Sequence, residues 1–391
     1  MDQPKYATLT EALKSVPDPR HARGKRYPWL FLLTLIAAAL VSGQKTVNAI
    51  ADWVKLHADE LCESLQPPKG RLPSGSTFYR TVRAIDLAAL EAHLSGLTES
   101  LATETAPSAA ITTPEGQRLE GQALDGKEVH GAQAHGQPLT LVSLVQHGTG
   151  ITLAQVETDT KSNEIPAAAQ LLAGRDLTNT VTTMDALHTQ RDLAQQIVDQ
   201  HGHYFMIVKE NQPTLYQAIE LLFQQPPWLA QEQATEYQVY PSTNKGHGRL
   251  EKRCLECSTA LNTYVDWPGV GQVMRRQCER VIMKTGEVSH RTRYGITSLR
   301  PPEAGAEQLE LLWRRHLTIE NRAHYVRDLT MGEDACQVHT GHAAHALAAL
   351  RNAILSLFRW KGWTNIAAAI RHYAVSVLRS LELIGAVPAR L

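Results

Sequence analysis

Two aspartates, each following a short apolar run, are the residues of this sequence best placed for catalysis. Asp125 follows the apolar start of "QALDGKEVHG", and Asp185 stands after the run in "TTMDALHTQ". Each run is expected to form a β-strand with its aspartate at the end, and ligands of α/β sheets gather at strand ends. Two carboxylates side by side repel each other unless a cation lies between them, and Mg²⁺ prefers carboxylate oxygens. The pair therefore predicts a metal site.

A third acid, Glu320, lies in the helix-like segment "RRHLTIENRAHYVRD". At about 100° per residue, His316, Glu320, His324 and Arg327 fall along one stripe of an α-helix. A glutamate between two histidines, followed by an arginine, suits a metal ligand among phosphate-binding groups. Two cations about 3.5 to 4 Å apart, held by such acids, would activate one oxygen and stabilise another during displacement at phosphorus.

Each acid alone is more often structural than catalytic. Only their joint placement, on a strand, a second strand and a late helix, favours catalysis. The separations along the chain fit this placement, because a β-rich segment accounts for the long interval between Asp185 and Glu320.

The elements that must position these acids begin after a helical amino-terminal region. Helical periodicity predicts an all-helical domain over residues 1–103, and "ETAPSAAITTPEG" predicts a linker over 104–117. Arg71, Arg80 and Arg83 make a DNA-binding or accessory role compatible with the helical domain, although many helical modules carry such residues. Within the first region, the apolar run at 28–43 is shorter than the roughly 20 residues that a membrane span needs. It therefore predicts a buried helix.

The pattern after the linker predicts a mixed α/β fold with a β-rich insertion. Residues 118–230 show three strands, a helix, a strand, a helix and a further strand, which predicts an antiparallel start followed by crossover connections. Residues 231–303 are strand-like throughout and form the predicted insertion. Residues 304–391 return to helix, and the stretch 335–391 carries six basic residues against one acid.

The composition is that of an ordinary folded protein, with 43% hydrophobic and 20% charged residues among 391 and a formal net charge of zero. No global electrostatic field indicates a nucleic-acid partner, so any such role must come from local groups. The five cysteines show no regular framework, which favours a reducing compartment. We predict a cytoplasmic protein without a membrane partner.

Several blocks of the sequence, taken in order, resemble DDE-type transposases, and specifically the ISAs1 insertion-sequence family of the IS4-like superfamily. The resemblance runs from about residue 15 to residue 375. The blocks that carry it are "VPDPRHARGKRYPWLFLLTLIAAALVSG", "STFYRTVRAID", "ALDGKEVHG", "KSNEIPAAAQLL", "VTTMDALHTQRDLAQQIVDQHGHYFMIVKENQPTL", "GHGRLEKR" and "RRHLTIENRAHYVRDLTMGED".

The resemblance implies an RNase H-like catalytic core whose acids and metal ligands are Asp125, Asp185 and Glu320. Related transposases carry an aromatic residue, an arginine, the glutamate and a lysine along the last catalytic helix. The matching positions in this chain are Trp313, His316, Glu320 and Arg327. Arg314 could replace the guanidinium that is missing at position 316, and Leu317 stands where the family pattern has a tryptophan.

Predicted DNA contacts extend beyond that helix and leave alternatives open. Lys161 in "KSNEI" either touches DNA or caps a helix, and Lys209 and Asn211 in "VKENQ" either line the cleft or simply follow a strand. His247 and Arg249 in "GHGR" are expected to reach phosphate from a tight turn. Together with Arg314, His316 and Arg327, these residues form the predicted DNA-binding set.

The resemblance implies a transposase that binds the inverted ends of its own element, cuts the strands and joins the freed 3′-hydroxyl to target DNA. It implies a two-metal Mg²⁺ site in which Mn²⁺ substitutes, double-stranded DNA as partner, and a homodimer in the synaptic complex. Such a protein would act in the bacterial cytoplasm, at the nucleoid when bound to DNA. The alternatives are a domesticated DNA-binding descendant that no longer mobilises DNA, or an RNase H-like metal nuclease.

Overall fold

The computed structural model describes residues 5–21, 25–105, 110–134, 137–158, 164–226, 237–336, 338 and 342–388. The strands are β1 Ile111–Thr112, β2 Arg118–Ala134, β3 Gln137–Gln146, β4 Thr152–Glu157, β5 Thr180–Met184, β6 His203–Val208, β7 Tyr237–Gly246, β8 Arg249–Ser258, β9 Gln272–Ile282 and β10 Val288–Thr297.

The α-helices of the described residues are α1 Leu9–Lys14, α2 Trp29–Val41, α3 Val47–Leu56, α4 Ala58–Leu65, α5 Gly75–Ala84, α6 Leu87–Glu104, α7 Glu164–Leu172, α8 Arg191–Asp199, α9 Pro213–Gln224, α10 Ala306–His316, α11 Ala343–Trp360, α12 Ile366–Ala374 and α13 Val377–Leu383. Pro68–Gly70 forms a short 3₁₀ turn, and Ile319–His324 and Val326–Thr330 are π-helical. The chain is thus mixed α/β, with a helical amino-terminal region.

The chain divides into two compact units. The first contains Met1–Ser108, Gly126–Asn163 and Thr318–Leu391, and the second contains Ala109–Asp125 and Glu164–Leu317. Strand β2 contributes to both units, because it continues through the boundary between Asp125 and Gly126.

The core of the first unit is built by the helices at the two ends of the chain. Helix α2 is apolar along its length, and all of its thirteen residues except Leu30 and Phe31 are buried. It packs against α1, α3 and α11, and α11 also contacts α6 and β4. The amino-terminal helices therefore share one hydrophobic core with the late helices.

The helix over Trp29–Val41 confirms the prediction of a buried helix in the apolar run at 28–43. Among the helices of the described residues, none is both long and apolar enough to cross a membrane.

The second unit is built on a sheet in the strand order β2–β5–β6–β10–β9–β8–β7. Strands β2, β5 and β6 are parallel, and β10, β9, β8 and β7 continue the sheet with antiparallel pairing. In the first unit, β3 and β4 form an antiparallel hairpin. The prediction of an antiparallel start followed by crossover connections is confirmed, and the segment predicted as β-rich does form four strands.

The β7–β8 hairpin turns at His247 and Gly248, which both have positive φ, as a two-residue turn of this twist requires. The predicted tight turn is therefore confirmed. Strand β7 stands at the end of the strand order, and Pro241 lies in its middle.

Two local predictions were wrong. Asp125 does not end its strand, because β2 continues to Ala134; what ends there is the pairing with β5, whose last pair is Leu124 with Met184. The late helix is not one α-helix either. Helix α10 ends at His316, and the backbone from Ile319 onward widens into π-helical turns, so a regular spacing of 100° per residue does not continue through Glu320.

Candidate active site

The sheet register places Asp125 and Asp185 side by side in the second unit. Leu124 of β2 pairs with Met184 of β5 in parallel, and the next residue on each strand is an aspartate. Neighbouring strands lie about 4.8 Å apart, so the two carboxylates leave adjacent backbones at the same level. The two side chains lie next to each other, as the sequence predicted. The reason is the register between β2 and β5, and not the ends of two strands.

Asp185 is held by the turn that follows β5. Its Oδ1 accepts the backbone N–H of His188 at 3.2 Å and lies 2.9 Å from Nδ1 of the same histidine. The Thr189 hydroxyl donates to the carbonyl of Asp185 at 3.1 Å and to that of Ile207 at 2.6 Å. Such side-chain to backbone bonding is what favours aspartate at turns. Oδ1 is thereby occupied, and the carboxylate is fixed in orientation.

His188 connects Asp185 to another acid, Glu164, at the start of α7. The imidazole is fully buried, and its Nε2 lies 3.5 Å from Oε2 of Glu164, which is ion-pair range without hydrogen-bond geometry. Neither residue was predicted from the sequence. The available signal was a histidine three residues after an aspartate in "DALH", a spacing that allows the ring to fold back onto the carboxylate.

Opposing influences act on the charge of Asp185. Burial would raise the pKa of its carboxyl, but hydrogen bonds from His188 and the positive charges of His188 and His316 bring the pKa below its ordinary value. Burial raises the pKa of Glu164, an effect that His188 partly offsets. Asp185 is therefore the more readily ionised of the two acids that contact His188.

The carboxylates Asp125 and Asp185, together with His188, form a donor set that could hold a metal ion. Each residue offers one ligand atom, and these atoms all lie within 4.8 Å of one another. Because Nδ1 of His188 is engaged by Asp185, the carboxylate oxygens are the donors best placed for a hard cation. The residues present thus fit an oxygen-preferring metal such as Mg²⁺.

Helix α10 secures this face of the sheet. Nδ1 of His316 lies 3.1 Å from Oγ1 of Thr183 on β5, and the Thr183 hydroxyl donates to the carbonyl of Gln122 on β2 at 3.1 Å. The Trp313 ring packs edge-on against Phe205 of β6. His316 is thus mostly buried, whereas Arg314 is exposed.

In the first unit, Glu320 lies on the π-helical segment, and its side chain is 61% exposed. Oε2 of Glu320 lies 3.4 Å from Nδ1 of the buried His324. The hydrogen bond from His324, together with the positive charge of Lys127, lowers the pKa of Glu320 despite some burial. Glu320 is therefore held as an exposed, ionised carboxylate.

Arg327, predicted to hold DNA, is fully buried in the first unit and does not present its charge at the surface. Its guanidinium donates two hydrogen bonds to Glu333, from Nε at 3.1 Å and from Nη2 at 2.7 Å. Arg351 and Lys127 lie 3.7 and 3.8 Å from the same carboxylate. We call these groups and two neighbouring acids the Glu333 cluster: Lys127, Arg327, Asp328, Glu333, Asp334 and Arg351.

The remaining predicted DNA contacts are distributed over the second unit. Lys209 is exposed just after β6, and the Asn211 amide donates to the carbonyl of Ala186 at 2.6 Å, which ties two loops together. His247 and Arg249 are exposed at the β7–β8 turn. Lys161 lies outside the described residues.

Comparisons with known proteins identify the family to which the chain belongs. A family model described as "Transposase DDE domain" matches residues 110–357, and one described as "DDE_Tnp_1-associated" matches residues 10–97. The first match covers more than half of the chain and includes Asp125, Asp185 and Glu320.

Individual relatives match along most of their length. The chain is 27% identical to "Putative protein YbfL" and 26% identical to "H repeat-associated putative transposase YhhI", both of Escherichia coli K12, over 89% of each chain. It is 30% identical to "Uncharacterized protein in dhlA 3'region" of Xanthobacter autotrophicus, over 72% of this chain and 92% of that protein. The narrower ISAs1 assignment stays a prediction, but at the family level the chain belongs to the DDE-type, IS4-like transposases.

Proposed function

We propose that this transposase binds the terminal inverted repeats of an insertion sequence, cuts the DNA strands at those ends and transfers the 3′ ends to target DNA. The observation that carries the proposal is the parallel register of β2 and β5, which holds Asp125 and Asp185 side by side at one edge of the sheet. Fixed, closely spaced carboxylates are what metal-dependent phosphoryl transfer requires.

The catalytic core is proposed to be RNase H-like, with Glu320 as the third acid. The parallel β2–β5–β6 arrangement with crossover helices agrees with such a core, and so does the family membership. Glu320 supports the assignment by its exposure and its lowered pKa, which keep a charged carboxylate available to a ligand.

The cofactor is proposed to be Mg²⁺ in a two-metal site, with Mn²⁺ as a substitute. Asp125 and Asp185 would hold it, together with Glu320. When bound, the cations would lower the pKa of an attacking water and stabilise the charge on the leaving oxygen. His188 would act on Asp185 alone, because its hydrogen bond to Oδ1 leaves Oδ2 as the oxygen available for the metal.

The partners are proposed to be double-stranded DNA and a second copy of the chain, since two ends must be held together for transposition. Exposed basic and amide groups near the carboxylate edge, namely Lys209, Asn211 and Arg314, would contact the DNA. His247 and Arg249 at the hairpin turn would add contacts further out. Lys161 is also proposed as a DNA contact. The place of action would be the bacterial cytoplasm, at the nucleoid.

Strand cleavage with purified protein tests the proposal. The substrate is a duplex that carries the end of the element, in Mg²⁺ or Mn²⁺. Asp125→Asn, Asp185→Asn and Glu320→Gln should each slow cleavage on the order of a thousandfold, equivalent to about 4 kcal/mol of barrier. Asp192→Asn, at an exposed position of α8, is the matched control and should cleave like the parent.

The assignment fails if Asp185→Asn cleaves as fast as the parent protein. A second measurement separates transposase from nuclease: products joined to a target duplex indicate strand transfer, whereas cutting without preference for the element's end indicates a nuclease.

A further inference from the structure

The outer half of the antiparallel sheet in the second unit concentrates arginine on one side. Side chains that are paired in register share a face of a sheet, and alternate residues of a strand return to it. Arg253 of β8 pairs with Cys278 of β9, which pairs with Arg291 of β10. The same register unites six arginines, which we call the arginine face: Arg249, Arg253, Arg276, Arg280, Arg291 and Arg293.

Only three of the six arginines of this face form an ion pair with a carboxylate. Glu251 contacts both Arg253 and Arg280, and Glu310 of α10 holds Arg276 at 2.6 Å. Within the part of the chain that the structure describes, Arg249, Arg291 and Arg293 have no ion-pair partner.

On the opposite face of the same strands, basic side chains are paired with acidic ones. There Lys252 pairs with Glu279 at 3.1 Å, and Arg275 pairs with Glu256 at 2.6 Å. The excess of positive charge thus belongs to one side of the sheet, and it is not a property of the strands as a whole.

The arginines of this face act on one another. Burial lowers the pKa of Arg293, and the positive charges of Arg291, Arg276 and Arg280 lower it further. Self-repulsion of this kind destabilises the free protein and would be relieved by a bound polyanion.

The arginine face lies on the same side of the sheet as the carboxylate pair, toward the carboxyl ends of β5 and β6. Val208 of β6 pairs with Tyr294 of β10, so Lys209 and Arg293 stand at the same level, one residue further along. Asp185 follows β5 at the level of Ile207, because Met184 pairs with Met206. The backbone of Arg293 therefore lies two strand spacings, about 10 Å, across the sheet from that of Asp185 and two residues, about 7 Å, further along it.

Helix α10 confirms that the groups share a side. It approaches Arg276 through Glu310 and Thr183 through His316, and both contacts lie on one face of the sheet. Arg293 shares that face with Arg276 through their register pair, and Asp185 shares it with Thr183 by alternation along β5. A continuous path of like-sided groups thus runs from Asp185 through Lys209 to the arginines.

We propose that the arginine face binds the phosphate backbone of duplex DNA and leads it to the Asp125–Asp185 pair, an inference that rests on the proposed function. Guanidinium groups suit phosphate because they donate two parallel hydrogen bonds. The contacts are with the backbone, so this surface supports affinity for any duplex and is not the source of end recognition.

Binding of a random-sequence duplex to the full chain, measured by fluorescence anisotropy over a range of NaCl concentrations without divalent metal, tests the proposal. Arg291→Gln with Arg293→Gln should weaken binding on the order of tenfold at low salt and make the salt dependence shallower by about two phosphate contacts, each worth about 0.9 in slope. Lys245→Gln with Lys252→Gln removes equal charge from the opposite face and should leave both values unchanged.

A second pair of substitutions protects the test against misfolding. Arg249→Gln with Arg291→Gln changes only exposed side chains and should reproduce the effect, with an unchanged melting temperature. The proposal would be overturned if Lys245→Gln with Lys252→Gln lost as much binding as Arg291→Gln with Arg293→Gln. Parent-like binding by Arg291→Gln with Arg293→Gln would also overturn it. So would a selective loss of binding to polyglutamate with duplex binding intact, because the face would then serve an acidic protein.

The two proposals fail separately. If the carboxylate variants lose cleavage while the arginine variants bind DNA like the parent, only the arginine face is refuted. If the arginine variants lose DNA binding while Asp125→Asn still cleaves, the face stands and the catalytic assignment falls.

Discussion

The carboxylate pair of the second unit and the Glu333 cluster of the first unit both gather acids at short range, but their charge is balanced differently. Glu333 is fully buried, and Arg327, Arg351 and Lys127 surround it. Asp185 keeps 37% of its side chain exposed, and its nearest cationic partner is a histidine. Burial with full compensation serves stability, whereas partial exposure with little compensation leaves charge available to a ligand.

The largest effect expected from this contrast concerns Glu333. Glu333→Gln leaves Arg327 and Arg351 buried without their shared carboxylate and should cost about 3–5 kcal/mol of unfolding free energy. Glu63→Gln, at an exposed position of the same unit, should stay within about 0.5 kcal/mol. Urea unfolding measures both, and equal stabilities would show that the cluster is not structural.

A second buried pairing in the first unit predicts a loss of stability at alkaline pH. His345 of α11 lies between Glu157, 2.9 Å from Nδ1, and Glu91, 2.8 Å from Nε2. Burial opposes the charged form, but the two carboxylates raise the pKa of His345 to about 9. Its contribution is therefore complete below pH 6.5, the unfolded-state value, and disappears as the pH rises through about 9.

The contribution of His345 corresponds to roughly 3 kcal/mol at neutral pH, at about 1.4 kcal/mol for each unit of difference in pKa between the folded and unfolded states. Thermal unfolding from pH 6 to 10 should show the decline in the parent, and His345→Gln should flatten it. An unchanged alkaline profile in that variant would exclude the histidine as the cause.

At the carboxylate pair, a smaller effect is expected from His188, which orients Asp185 without needing to touch the metal. His188→Gln should weaken the apparent affinity for Mg²⁺ or Mn²⁺ about 10- to 100-fold, as loss of a group that supports a ligand does. Titration of cleavage rate against metal concentration, with direct Mn²⁺ binding as a second readout, measures it. His290→Gln, at an exposed position of β10, is the control. Unaltered metal affinity in His188→Gln would contradict the role.

The smallest effect is expected at Leu317, where the family pattern has tryptophan and the side chain here is exposed. Leu317→Trp should change stability by no more than about 0.5 kcal/mol, because nothing must be displaced from a core. A matched Leu56→Trp, at another exposed position, controls for added aromatic surface. Tighter DNA binding by Leu317→Trp alone would show that the aromatic contact is useful; identical binding by both would show that it is not.

Local pattern predicted the elements of this chain well. Residue type and periodicity predicted the apolar helix α2 and the turn at His247 and Gly248. They also predicted the succession of strands and helices along the chain in the core. Asp125 and Asp185 were predicted as a pair for the same reason, because each stands directly after a recognisable apolar run. What pattern could not supply was the register that brings β2 against β5, since pairing depends on contacts far apart in the chain.

Arg327 shows where reasoning from helix geometry reached its limit. A regular α-helix places it on a stripe with Glu320, but the π-helical turns change the angular spacing, and Glu333, six residues later, holds its charge inside. His188 and Glu164 were missed because their role depends on tertiary contact. Arg291 and Arg293, by contrast, carried a readable signal, since two arginines at alternate positions of a strand must share a face.

Strand β7 has a consequence for how copies of the protein can meet. Its outer backbone groups pair with no further strand among the described residues, which would ordinarily invite another chain to extend the ladder. Pro241 offers no N–H for such a ladder, and Lys245 adds charge near the strand's end. Pairing of β7 with a strand of another copy is therefore disfavoured. The protein can thus keep the long β7–β8 hairpin exposed without a tendency to form fibrils through this edge strand.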